Sequence, residues 1–174
     1  MSSIVEGVSS VFGATTGTGT DAIELLKTDH DNVDKLFQKV KANEDGNNEN
    51  VFMKIKQELD AHAHIEEMIF YPYCLENGDE ELRKIVREGI EEHKQVKLFL
   101  AEMNEESGKQ PEFKAKMMVL IEDVEHHVQE EEGEMFKMVE DQFDDETLDR
   151  LGGRMQAEKE RFLSRSTSRA ASAQ

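Results

Sequence analysis

The sequence predicts an all-α protein: an up-down-up-down antiparallel four-helix bundle with a short fifth helix at its C-terminal end. Apolar residues recur at steps of three and four through four long segments. No segment alternates apolar and polar residues as a half-buried strand does. The breaks between segments are short and carry Asn, Gly or Pro, which suits antiparallel neighbours. With 174 residues the chain suits one domain.

Residues 1–20, rich in Ser, Gly and Thr, read as a flexible leader. Within it Ile4, Val5, Val8, Val11 and Phe12 are alternatively a short apolar helix for docking a partner. The bundle is expected over residues 21–163. Thr20 or Asp21 caps the first helix, whose stripe runs Ile23, Leu26, His30, Val33, Phe37 and Val40. The break "NEDGNN" separates it from a second stripe of Phe52, Ile55, Leu59, His62, Glu66, Ile69 and Phe70, which Pro72 is expected to end.

The third stripe is Leu82, Val86, Gly89, His93, Val96 and Leu100. The fourth helix starts at Pro111, suited to a first helical position, and carries Phe113, Met117, Leu120, Val124, His127, Glu131, Met135 and Met138. A fifth helix from about Asp145 to Leu163, with Leu148, Leu151, Met155 and Phe162, is expected to cover one end. Residues 164–174, "SRSTSRAASAQ", read as a flexible tail.

Charged residues make up 34% of the chain, aromatics 6%, and the mean hydropathy is −0.69, as in a soluble protein with a lean core. A formal charge of −18 argues against nucleic acid and anionic membrane surfaces as partners. No secretory apolar region and no spanning run appears, and the lone Cys74 forms no internal disulfide, so the cytoplasm is the expected location. Cys74 reads as a structural thiol, and Met117 and Met135 as packing. Nothing in the pattern sets an oligomeric state.

Polar residues inside the apolar stripes repeat. The first half has His30, then His62 with Glu66; the second has His93, then His127 with Glu131. Each half is a helix with one histidine followed by a helix with His-x-x-x-Glu. Two hairpins related by a pseudo-twofold bring these six groups together at mid-bundle.

Register separates neighbouring histidines. Residues i and i+4 share a helix face, whereas i+2 lies about 200° round, so His62 and Glu66 point inward while His64 points elsewhere. His126 lies about 100° off the line of His127 and reads as a boundary residue beside the centre, and an extra ligand is the alternative for both His64 and His126.

A single histidine on an apolar face is ordinarily a hydrogen-bonded core residue. Two carboxylates among apolar residues are a different matter: their burial is costly without a cation, and no Lys or Arg occupies the four stripes. Four imidazoles and two carboxylates exceed the needs of one tetrahedral zinc and suit two first-row metal ions, most naturally iron.

The stretches "LLKTDHDNVDKLF", "DAHAHIEEMIFYP", "EEHKQVKLFL" and "VEHHVQEEEGEMF" resemble the haemerythrin-like family, specifically the bacterial His-His-Glu (HHE) cation-binding domains, over residues 21–140 or so. The resemblance implies a non-haem di-iron centre with an oxo or hydroxo bridge that handles dioxygen, peroxide or nitric oxide. It implies His30, His62, Glu66, His93, His127 and Glu131 as metal ligands, with no catalytic residue beyond them. The oxygen-carrying members have a His-x-x-x-His pair on the third helix, where this chain has Gly89 four residues before His93. That departure counts against reversible oxygen carriage and leaves a position for water, a nearby Glu or Tyr, or a substrate.

Tyr71 is a candidate for that position, with an aromatic plug at the bundle end as its alternative. Glu67 and Glu132 directly follow the ligand glutamates and read either as hydrogen-bond partners of ligand histidines or as a solvated face. The expected function is a di-iron protein that binds or reacts with dioxygen, hydrogen peroxide or nitric oxide. If an enzyme, it is catalase- or peroxidase-like or a nitric-oxide-handling oxidoreductase. The alternative is an iron- or oxygen-sensing or iron-storage module without catalysis.

Overall fold

The computed structural model describes residues 21–43, 46–104, 108 and 110–172, so the leader expected over residues 1–20 lies outside the described residues. Among these the chain is helical, without strands. Helix α1 (Ala22–Lys41) begins where Asp21 accepts a hydrogen bond from the Glu24 amide at 3.0 Å, and it carries Lys39 and Lys41 in its last turn, complementing the helix dipole at both ends. Helix α2 covers residues 49–77. Helix α3 (Glu80–Met103) is capped by Asp79, which accepts from the Leu82 amide at 2.9 Å. Helix α4 covers residues 111–142, with Pro111 in its first turn, and α5 is Asp145–Ser172.

Pro72 does not end α2. A single π-helical turn at Glu66–Phe70 precedes it, closed by the Tyr71 amide donating to the Glu66 carbonyl. The widened turn in effect restarts the helix at Tyr71, so Pro72 sits in a first turn, where a missing amide hydrogen costs nothing. Helix α4 carries the matching π-turn at Glu131–Met135, closed by Phe136 on the Glu131 carbonyl. Both π-turns begin on the glutamates of the repeat.

The fifth helix is not short. It runs 28 residues through Ser172, well past Leu163, because burial of Leu148, Leu151 and Met155 offsets the roughly 1 kcal/mol that each of Gly152 and Gly153 costs a helix. Past that docked face the hydroxyls of Ser164, Ser166 and Ser168 bond back to the carbonyls of Arg161, Phe162 and Ser164. A serine-rich stretch without an apolar stripe reads as a tail, yet it continues a helix that is already nucleated.

Helices α1 with α2 and α3 with α4 pack as antiparallel neighbours, and α5 lies against α1 and α2. Among the described residues the core divides into two apolar clusters. One gathers Leu26, Phe70, Leu82, Phe136 and Leu151; the other gathers Phe37, Phe52, Leu100, Phe113 and Leu120. Met117 and Met135 are buried core residues. A polar layer contributed by all four bundle helices lies between the clusters. Among the described residues no helix is long and apolar enough to cross a membrane.

Candidate metal centre

The polar layer contains His30, His62, Glu66, His93, His127 and Glu131, none more than 6% exposed. The two halves superimpose in kind. The His30 and His62 rings lie 4.8 Å apart at 61°, and so do those of His93 and His127. Glu66 Oε2 sits 3.1 Å from His62 Nε2 on its own helix and 3.3 Å from His93 Nε2. Glu131 Oε2 sits 3.5 Å from His127 Nε2 and 3.2 Å from His30 Nε2. The Nε2 atoms of His93 and His127 are themselves 3.2 Å apart.

Apart from that His93–His127 pair, the inward atoms approach closely without hydrogen bonding. Among the described residues, His30 Nε2, His62 Nε2, both Glu66 oxygens and Glu131 Oε2 are buried polar atoms with no hydrogen-bond partner. Buried polar groups are ordinarily paired, and each failure costs on the order of 1–3 kcal/mol. Concentrating five such atoms in one layer marks it as a place where a cation's ligands converge.

The outer side of the layer is ordered. Glu132 meets His30 Nδ1 at 2.8 Å, Glu67 meets His93 Nδ1 at 3.1 Å and Glu92 meets His127 Nδ1 at 2.7 Å. Asp29 takes the same place behind His62, at 3.7 Å. A carboxylate on Nδ1 holds the ring and leaves Nε2 as the inward donor. Asp29 and Glu92, absent from the sequence reading, carried a signal there: each directly precedes the lone histidine of its half, as Glu67 and Glu132 directly follow the glutamates.

The electrostatics follow from mutual burial. Burial disfavours the charged form of His62, but the charge of Glu66 beside Nε2 outweighs it and pushes the pKa up to about 10. His93 is likewise raised to about 9, by Glu66 and Glu67 against its burial. Burial opposes ionisation of Glu66, yet His62 and then His93 hold it well below the usual carboxylate range. Half-buried Glu67 falls to about 2, through His93 first and then Lys97.

Tyr71 faces this layer. Its hydroxyl donates to Glu131 Oε1 at 2.8 Å and its ring stacks on His93 at 5.4 Å. Burial, then Glu131, raises the phenol well above its usual value. The π-turn explains the position, since Tyr71 follows Glu66 by five residues just as Phe136, stacked on His30 at 5.9 Å, follows Glu131. A Cβ on Gly89 would lie 3.0 Å from the Tyr71 hydroxyl and 3.5 Å from His127 Cε1.

His64 faces away, pairing with Glu158 at 3.0 Å and stacking on Phe162. His126 is 66% exposed and pairs with Glu130 at 3.4 Å. It gathers on the surface with Glu130 and Glu92, their ligating atoms within 4.8 Å of one another, so it neighbours the centre only by way of Glu92.

Residues 21–139 match the family model described as Hemerythrin HHE cation binding domain. In fold the chain is similar to the crystal structure of a hemerythrin HHE cation binding domain-containing protein from Mycobacterium kansasii. The TM-score is 0.72 and the identity 25%, over 86% of this chain and 91% of that one. The chain is also 25% identical over 170 residues to a DNA nickase from Nostoc sp. (strain PCC 7120 / SAG 25.82 / UTEX 2576). That match takes in 92% of this chain but 47% of the relative, so the chain spans about half the length of that curated protein. The matched segment contains the whole polar layer, and the chain belongs to the hemerythrin HHE cation-binding domain family.

Proposed function

We propose that this domain holds two iron ions through His30, His62, Glu66, His93, His127 and Glu131, and that the centre binds or reacts with dioxygen, hydrogen peroxide or nitric oxide. The observation that carries the reading is the set of inward nitrogen and oxygen atoms left without hydrogen-bond partners in a buried layer. Four imidazole nitrogens and two carboxylates are a donor set suited to first-row transition ions, and they are too many for one tetrahedral site. Bound iron supplies the redox and Lewis-acid chemistry.

The protein's own contribution is orientation and exclusion. The Nδ1 carboxylates hold the rings, and Tyr71 holds one oxygen of Glu131 at 2.8 Å. Against the four histidines lies a small, partly open, mainly apolar cavity of about 30 Å³, lined by Val33, Leu59, Val96, Leu100, Val124 and Val128 among others. A site of that size suits a diatomic molecule or a peroxide. The nickase relative suggests nucleic-acid chemistry instead, but a formal charge of −18 repels phosphate backbones, and the small-ligand reading is favoured.

Metal analysis of the iron-loaded chain tests the stoichiometry, with two irons per chain expected. An absorption band that returns on air and argon cycling supports carriage or sensing, and gas evolution on adding hydrogen peroxide supports catalase-like turnover. Iron that stays without response to any of the three ligands supports storage. Failure to retain iron overturns the reading.

A further inference from the structure

One of the four inward histidines is backed differently. His30, His93 and His127 have carboxylate oxygens at 2.8, 3.1 and 2.7 Å from Nδ1. Behind His62, Asp29 Oδ2 stands at 3.7 Å, and neither that oxygen nor His62 Nδ1 has a hydrogen-bond partner among the described residues. On the other side of the carboxylate, Asp29 Oδ1 accepts a hydrogen bond from Lys159 Nζ on α5.

The side chain of Lys159 is 12% exposed and that of Asp29 3%, so the pair is largely removed from water, with Glu58 4.0 Å from the same ammonium. An ammonium-carboxylate hydrogen bond is roughly twice as strong as a neutral one, so the lysine draws the Asp29 carboxylate toward α5, and Oδ2 stands 3.7 Å from His62 Nδ1. Glu67 shows the contrast. Lys97 also bonds it, but that lysine is 42% exposed, and Glu67 keeps its 3.1 Å contact to His93. Packing delivers Lys159: Leu151 and Met155 anchor α5 in the core, and Glu158 with Phe162 grips His64.

We propose that Lys159 is a positioning residue for the metal centre, holding Asp29 off His62 and thereby weakening that histidine as a donor relative to the other three. The inference rests on the reading of His62 as a ligand. A carboxylate bonded to the far nitrogen raises the basicity of a ligating imidazole and orients it, and changes at such partners shift metal affinity by about 10- to 100-fold. Lys159 breaks the pseudo-twofold, making the site that uses His62 the weaker of two.

The test uses the full chain and cobalt(II), followed by calorimetry and by the visible absorption of the bound ion, with thermal melting of each variant. K159M is expected to tighten one of two cobalt equivalents about tenfold and to shift its band, with K159R restoring the native values. In a D29N background K159M is expected to change neither. Should K159M not fold, K159Q carries the same expectation. Unchanged affinity and spectrum, or the same change with and without D29N, overturns the proposal. H62A separates the two readings: if it loses no cobalt equivalent, the ligand assignment fails, and if it loses one while the Lys159 variants are silent, only the positioning role fails.

Discussion

The Tyr71 hydroxyl fills the space that a side chain at Gly89 would need, since a Cβ there would lie 3.0 Å from it. Gly89 is buried in the middle of α3, where glycine costs a helix about 1 kcal/mol relative to alanine. The two positions are therefore coupled. G89A is expected to be neutral or destabilising by about 1 kcal/mol in the native chain, because relief of helix entropy is cancelled by crowding of the hydroxyl. In a Y71F background the same change is expected to stabilise by about 0.5–1 kcal/mol. Y71F alone leaves Glu131 Oε1 without its donor and is expected to cost about 1–3 kcal/mol. Denaturant titration of the four chains measures the coupling.

Histidine exchanges read the helix register directly. H62A and H127A are each expected to lose retained iron, as measured by metal analysis after desalting. H64A removes a partly exposed pair with Glu158 and is expected to keep full iron content and lose no more than about 1 kcal/mol of stability. Loading the native chain is expected to raise its melting temperature, by an amount corresponding to about 2.7 kcal/mol at a hundredfold excess over the dissociation constant. Identical melting with and without iron would contradict a core site.

Metal uptake is expected to depend on pH with a definite sign. Glu66 and its neighbours raise His62 to about 10 and His93 to about 9, so both carry protons at neutral pH until a cation displaces them. Affinity then rises as pH increases from neutrality toward 9, and loading at neutral pH releases protons. Calorimetry in buffers of different ionisation enthalpy counts the protons released.

Cys74 is expected to be inert in the folded chain. It is fully buried, and burial, with the charges of Glu66 and Glu131 adding to it, pushes its thiol up to about 12. A disulfide reagent should label it only as fast as the chain unfolds, with full labelling in denaturant.

The sequence by itself determined the helices and the inward-facing set, for a geometric reason. A period of 3.6 residues puts His62 with Glu66 and His127 with Glu131 on the buried stripe and turns His64 off it, whatever the rest of the chain does. It also held the Nδ1 carboxylates, as acidic residues at fixed offsets in both halves. Tertiary structure alone decided the rest. The π-turns at Glu66 and Glu131 are one-residue departures from the period, and they carried α2 through Pro72 and aimed Tyr71 at Glu131. Helix α5 extended beyond its apolar residues, because a docked helix propagates without a stripe. The bond from Lys159 to Asp29 joins residues 130 apart, and it is available to one half of the nearly symmetric bundle because α5 packs on α1 and α2; that half has Asp29 at 3.7 Å where the other has Glu92 at 2.7 Å.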